Sequence, residues 1–271
     1  MINDLLAECM LAFNIWDINS AKAIIDAAAA KKRNVILQTS AGVYNQMDAE
    51  EVRAFIKSYA DKKSINVWLH LDHCKDMKIL EDAIVKKWDS VMIDASDSDI
   101  EENIKKTNIV IEKAHREGIL VEAEVGQIKG TEDDLTVDEY HVTDRDEIKK
   151  FLRETKVDMF AAAFGTVHGM YKGKPDLDYS LIDYVANISD VPFVVHGSSG
   201  LEDKEVRKLT KKENVKKINI STEVKLAYRK GILESIEGGL LEENGFQAIY
   251  VEKKIYEAIY YMAYNKFSII G

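Results

Sequence analysis

The chain has 271 residues, 46% of them hydrophobic and 31% charged; this excludes a disordered protein, and the length suits one eight-stranded α/β barrel forming a single domain over residues 1–271. A formal charge of −10 argues against nucleic acid as a partner, because phosphate backbones demand a basic face, and no apolar run approaches a membrane span. Cys9 and Cys74 are too few for a disulfide framework, and the start MINDLLAECMLAFNIWD lacks a basic n-region and cleavage site, so a reducing, cytoplasmic setting is expected.

Along the chain, short β-rich apolar runs alternate with stretches whose apolar residues recur at three and four. The run Leu11–Ile15 precedes a helix over Ala21–Lys32 that Asn19 or Ser20 would cap. Val35–Thr39 precedes Ala49–Ala60, Val67–Leu71 precedes Lys78–Lys87, and Ser90–Ile93 precedes Glu101–Glu117. After Leu120–Val125 comes the polar stretch Gly126–Asp134, read as a long lid-like loop, and then a helix over Asp144–Glu154 with Asp144 at its N-cap. Met159–Phe164, Phe193–His196 and Lys217–Ile220 complete eight strands, with helices over Ser180–Ala186, Asp203–Lys212 (capped by Asp203) and Thr222–Glu237 after them. A further amphipathic helix near Val251–Tyr264 follows, so the pattern predicts a TIM (β/α)8 barrel with an extra C-terminal helix. The clusters Lys31-Lys32-Arg33, Lys149-Lys150 and Lys211-Lys212 fall on helical stretches and read as solvated faces.

Such barrels carry their chemistry at the carboxyl ends of the strands. There the third strand ends in His70-Leu71-Asp72-His73-Cys74, the sixth runs into Gly165-Thr166-Val167-His168-Gly169, and the seventh ends in His196-Gly197-Ser198-Ser199-Gly200. His73, His168 and His196 from three strand ends can converge as neutral imidazoles on one Zn2+ and leave a fourth position open. His70 shares a pleat side with Asp72 and suits a supporting role, whereas His115 and His141 lie away from strand ends. Asp72 is a candidate general acid/base or, more blandly, a helix cap. Glu122 and Glu124 share one strand face, where a carboxylate, Glu124 above all, offers an alternative metal position or assists proton transfer, or else belongs to a barrel-interior ion pair.

Taken together, H-x-D-H-C, E-x-E-V-G-Q…G-T-E-D-D, G-T-x-H-G-M-Y, H-G-S-S-G and Lys217-Ile-Asn-Ile-Ser-Thr-Glu resemble the class II fructose- and tagatose-bisphosphate aldolases, in order and spacing, from Phe13-Asn14 to about Lys225. The resemblance implies one Zn2+ per subunit on His73, His168 and His196, polarising the ketose carbonyl and stabilising the enediolate left by C3–C4 cleavage. Asp72 would act on the C4 hydroxyl and Glu132 would protonate the enediolate. The substrate's 1-phosphate would lie on Gly169, Lys172, Gly197, Ser199, Ser221 and Thr222, with Asn219 on the dihydroxyacetone moiety and Asn14 and Ser40 also on the sugar phosphate. A monovalent cation and a homodimer or homotetramer are further expectations of the family.

One departure stands out. Family members that take bisphosphates carry a Pro-Arg pair in the C-terminal segment for the far phosphate, but here no arginine follows Arg229, and residues 238–250 hold neither proline nor arginine. A lysine does not reproduce a bidentate guanidinium contact. The aldehyde half of the substrate therefore lacks a phosphate or has it read by Lys253, Lys254 or another residue; simple divergence of a bisphosphate enzyme is the other reading. An aldolase for a modified sugar phosphate, a metal-dependent hydrolase and a non-catalytic barrel subunit are the remaining alternatives.

Overall fold

A computed structural model describes residues 6–132, 135–137, 143–171, 173–242, 244 and 246–270, with backbone alone at 131–132 and 135–137. Eight parallel strands close into a barrel: β1 (Met10–Asn14), β2 (Val35–Ser40), β3 (Val67–Cys74), β4 (Ser90–Ile93), β5 (Leu120–Val125), β8 (Met159–Ala162), β10 (Phe193–Val195) and β11 (Val215–Ile220), which returns to β1. A small sheet joins β6 (Lys129–Glu132), β7 (Leu135–Val137) and β9 (Val167–His168) in the order β7-β6-β9. The helices are α1 (Ile18–Ala30), α2 (Ala41–Gln46), α3 (Ala49–Lys63), α4 (Met77–Val85), α5 (Ile100–Arg116), α6 (Arg145–Glu154), α7 (Tyr179–Ile188), α8 (Asp203–Leu209), α9 (Thr222–Glu237) and α10 (Ala248–Ile269). This is the TIM barrel that the sequence pattern predicts, with α10 as the added C-terminal helix.

Period-two alternation along the strands divides the core in two. Leu11, Phe13, Val35, Leu37, Leu69, Leu71, Val121, Ala123, Phe160 and Val195 pack outward under the helices. A second cluster of Met10, Ala12, Ile36, Met159, Ala161 and Val194, flanked by Trp68 and Leu120, fills the barrel interior. Continuing the same inward positions toward the carboxyl ends gives Asn14, Gln38, His70, Asp72, Glu122, Glu124, His196 and Asn219, all buried. An apolar plug thus floors a polar layer, and the register of the strands raises the polar layer to the rim.

Local chemistry sets the helix starts. Asp17, rather than Asn19 or Ser20, caps α1: its carboxylate accepts from the Ser20 amide at 2.6 Å while the Ser20 hydroxyl accepts from the Asp17 amide, a reciprocal box. The carboxylates of Asp48, Asp76, Asp99, Asp144 and Asp178 cap other helices by accepting from first-turn amides. Asp76 therefore takes the capping role offered as the blander reading of Asp72. Asp203 is the first residue of α8 instead of its cap, and the preceding Glu202 makes no side-chain cap bond.

The short helix α2 and the small sheet of β6, β7 and β9 have no counterpart in the sequence pattern. The short helix α2 is unpredicted because six residues carry little periodicity. The stretch over 126–134 contains a strand, β6, paired antiparallel with β7 and parallel with β9, where the pattern shows only a loop. Helix α10 packs against α9 and α1; Gly231 of α9 lies so close that a Cβ there would collide with the backbone of Lys254 and Ile255. No helix among the described residues is long and apolar enough to cross a membrane.

Candidate active site

The three histidines reach one point by three different devices. On β3, Asp72 points inward by alternation, so His73 should point out; instead the β3–β4 register shifts between Leu71 and Cys74, and His73 adopts φ 44°. That left-handed kink turns two consecutive side chains toward the same site. His196 follows β10 directly. His168 lies on β9, six residues past the end of β8, held by backbone pairing with Gly130 of β6. Gly130, at φ 116°, has no room for a Cβ against the His168 carbonyl. One ring nitrogen from each of His73, His168 and His196 lies within 4.8 Å of the others.

Carboxylates hold two of the rings. His73 Nδ1 lies 3.0 Å from Asp94 Oδ2, and His196 Nε2 lies 2.7 Å from Glu122 Oε1. A carboxylate only accepts, so these contacts place the protons on His73 Nδ1 and His196 Nε2 in the neutral rings. The remaining nitrogens, His73 Nε2 and His196 Nδ1, face each other at 2.8 Å. Two lone pairs cannot sit that close without a proton or a cation between them. The donor set therefore fits a zinc-type ion: three imidazoles, carboxylates behind two of them, and one side left for a further ligand.

Burial and charge pull the neighbouring groups apart. Burial lowers His196 to about 4, and holds His70 well below its usual value with help from the Lys217 charge. For His73 burial acts downward too, but the Asp94 hydrogen bond and the charge of Asp72 outweigh it and raise the ring well above its usual range. Burial would also raise Glu122, yet the Lys217 ammonium and the two histidines keep it ionised; burial, with the nearby carboxylates, pushes Glu124 well up against the opposing charge of His73. Among the described residues Glu124 Oε2 has no hydrogen-bond partner, and Glu124 stands outside the three-histidine group.

Asp72 sits beside this cluster, almost fully buried, with Gln38 Nε2 donating to Oδ2 at 2.8 Å. Asn14 donates to the same oxygen at 3.5 Å and accepts from Gln38 at 2.9 Å, while Asn219 donates to Oδ1 at 3.4 Å. Three amides thus orient the carboxylate, and His70 Nε2 lies 3.9 Å from Oδ1. His70 supports the layer, as expected: its Nδ1 meets Ser90 Oγ at 2.8 Å and its Nε2 lies 3.5 Å from Glu122.

The residues read as a phosphate cradle gather at the ends of β10 and β11. Gly197 has φ 65° and a Cβ there would lie 2.6 Å from the Val167 carbonyl oxygen, so the approach of the two loops needs glycine. Tyr171 ties them by donating to the Gly197 carbonyl at 2.7 Å. Gly169 has φ 98° with open space beside it. Ser199 Oγ accepts from the Glu223 amide, the Val224 and Lys225 amides turn onto the Ser221 carbonyl, and Thr222 opens α9 at the positive end of the helix dipole. Among the described residues, buried Ser221 Oγ has no hydrogen-bond partner, and the same holds for Asn219 Oδ1. Glu223 braces the loop by accepting from the Gly200 amide at 3.0 Å and pairing with Lys266 of α10 at 2.7 Å.

Ser40 ends β2 and caps α2 through the Val43 amide at 3.5 Å. Lys172 lies outside the described residues, as does the side chain of Glu132, whose backbone belongs to β6. Lys253 is exposed and pairs with Glu257 on its own helix. Four site residues escaped the sequence reading: Asp94, Gln38, Ser90 and the amine of Lys217. Asp94 follows β4 directly, so the strand-end rule that found the histidines identifies it too.

A family profile described as class-II fructose-bisphosphate aldolase matches residues 7–271. Among curated proteins, a sulfofructosephosphate aldolase from Alkalicoccus urumqiensis is 34% identical over 228 residues, covering 83% of this chain and 79% of that one. Among solved structures, the YdjI aldolase from Escherichia coli K12 superposes with a TM-score of 0.82 at 30% identity, over 100% of this chain and 95% of that chain. The fructose-bisphosphate aldolase from Campylobacter jejuni, at 21% identity and a TM-score of 0.77 over 99% and 92% of the two chains, shares the fold.

Proposed function

The chain belongs to the class II fructose-bisphosphate aldolase family and is an aldolase, and from that premise we propose that it is a zinc-dependent lyase cleaving a ketose 1-phosphate to dihydroxyacetone phosphate and an aldehyde. The observation that carries this reading is the convergence of the His73, His168 and His196 nitrogens within 4.8 Å, beside a buried Asp72 held by amides. Zinc, when bound there, supplies a Lewis acid for the carbonyl end of the substrate. Asp72 takes the proton of the C4 hydroxyl; the C3–C4 bond breaks, the aldehyde leaves, and the electron pair stays on C3. Glu132 returns a proton to C3. Gln38 and Asn14 keep the Asp72 carboxylate aimed while this happens.

The 1-phosphate lies on Gly169, Lys172, Gly197, Ser199, Ser221 and Thr222. The unpartnered Ser221 hydroxyl supports this placement, since a buried donor is retained at a cost unless a ligand uses it. Asn219, Asn14 and Ser40 contact the sugar, and Glu124 is held for proton transfer or an alternative position of the metal.

The distal end of the substrate carries no phosphate in this reading. The tail lacks the arginine that would read one, and a relative is named for a sulfofructose phosphate. A homodimer or homotetramer belongs to the same proposal, supported by exposed Leu226, Ile236, Ile249, Tyr250 and Tyr261 on α9 and α10.

Release of dihydroxyacetone phosphate should be followed from fructose 1-phosphate, a sulfofructose 1-phosphate, and fructose and tagatose 1,6-bisphosphates, with chelator, then zinc, with and without potassium, and with inorganic phosphate measured alongside. Chelator-sensitive release restored by zinc, with kcat/KM for the singly phosphorylated ketoses at or above that for the bisphosphates, is the expected result. A strong bisphosphate preference overturns the distal reading, and phosphate release without aldehyde overturns cleavage itself.

A further inference from the structure

Lys217 is fully buried in β11, yet the cleavage just described gives it no task. Its Nζ lies 2.8 Å from Glu122 Oε2, and the other oxygen of that carboxylate lies 2.7 Å from His196 Nε2. All three side chains have no solvent exposure. We propose that Lys217 is a positioning residue for the metal site: through Glu122 it fixes the ring of His196 with its proton on Nε2 and its lone pair on Nδ1, aimed at the ion. The inference rests on the reading of the three histidines as zinc ligands.

The argument is one of donors and acceptors. An ammonium only donates, so Glu122 must present an acceptor toward it, and an ionised carboxylate then presents its other oxygen as an acceptor as well. His196 Nε2 can meet that oxygen only as an N–H. The opposite nitrogen is thereby stripped of its proton, and it is Nδ1 that faces His73 at 2.8 Å and Asn219 Nδ2 at 3.2 Å, the latter a donor aimed at a lone pair. Without the ammonium, Glu122 Oε2 loses its 2.8 Å partner, and the carboxylate that holds the Nε2 proton is no longer fixed in place. A buried lysine is costly; a tautomer lock is a reason to keep it at this place.

The test uses the zinc-loaded protein and 15N spectra of its histidines. His196 should show a protonated Nε2 and a bare, metal-bound Nδ1. Lys217→Met should weaken zinc binding, read by competition with a chelator, about ten- to hundred-fold. Glu122→Gln should do likewise, because an amide must turn its NH2 toward either Lys217 or His196. The double variant Lys217→Met/Glu122→Gln should bind zinc more tightly than Glu122→Gln alone, since the amide is then free to turn its oxygen to His196. A proton on His196 Nδ1, or a folded Lys217→Met protein with wild-type zinc affinity, overturns the inference. If Lys217→Met fails to fold, the wild-type spectra and the double variant decide. Wild-type protein that takes up no zinc sinks the metal reading, and the tautomer of its metal-free His196 then decides this one.

Discussion

Beneath the site, Lys217, Glu122 and His196 touch in sequence at 2.8 and 2.7 Å with no exposure to solvent, whereas on the helical shell Lys113 pairs with Glu81, Lys87 with Glu117 and Lys150 with Glu101 in the open. The pair types are the same, and their consequences are opposite. An exposed pair exchanges one set of water contacts for another and contributes about 0–1 kcal/mol. Removing one partner of a buried pair strands a charge in a low-dielectric interior and costs about 3–5 kcal/mol. The shell can therefore change its charges freely, while the barrel interior is a fixed arrangement in which each proton position depends on the next.

The largest expected effect lies where chemistry can be separated from packing. His168 is half-buried on β9, outside the closed barrel, so its loss should spare the fold. His168→Ala should lower kcat/KM by about 1,000-fold, the scale of losing several kcal/mol of Lewis-acid stabilisation, with the melting temperature nearly unchanged. A variant that keeps its activity removes His168 from the metal site; one that unfolds blurs the boundary drawn between interior and shell.

A smaller loss should follow at the phosphate cradle, which is built of backbone and hydroxyls where the metal site is built of charges. Gly197→Ala adds a Cβ 2.6 Å from the Val167 carbonyl oxygen at φ 65°, where an L-residue is strained. The displaced loop should cost about 100-fold in kcat/KM, mostly through KM, and should weaken inhibition by inorganic phosphate. An unchanged KM would mean that the 1-phosphate binds elsewhere.

Much of this was legible in the sequence because it follows from periodicity. Strand alternation put Asp72 inward, and strand ends located His196. What periodicity could not give is whatever breaks it: the left-handed His73, which brings two neighbouring residues to one site, and β9, whose two residues exist only because β6 pairs with them. Lys217 enters the sequence reading only as the first residue of a family motif, with no role of its own. Only three-dimensional register shows its amine turned away into the interior, onto Glu122. Asp94 was recoverable by the strand-end rule, and its role on His73 was not, since that pairing spans two strands.

The smallest effect expected is on the shell, at its best-connected carboxylate. Asp26 of α1 accepts from Tyr59 of α3 and from Tyr256 of α10, and it pairs with Lys63 at 2.5 Å. Burial would raise Asp26, but the hydrogen bonds from Lys63, Tyr256 and Tyr59 outweigh it and lower it below its usual value. A carboxyl lowered in the folded state stabilises the protein above its unfolded value of about 3.9, and that contribution is lost as pH falls through the folded value. Asp26→Asn should thus lower the melting temperature by about 2 °C at pH 7, a figure kept small by solvent screening, and the gap from wild type should close as the pH drops below about 4. A gap that stays constant with pH would show that Asp26 acts through packing and not through charge. A gap much larger than this would place α10 and its tyrosines under the rules of the interior.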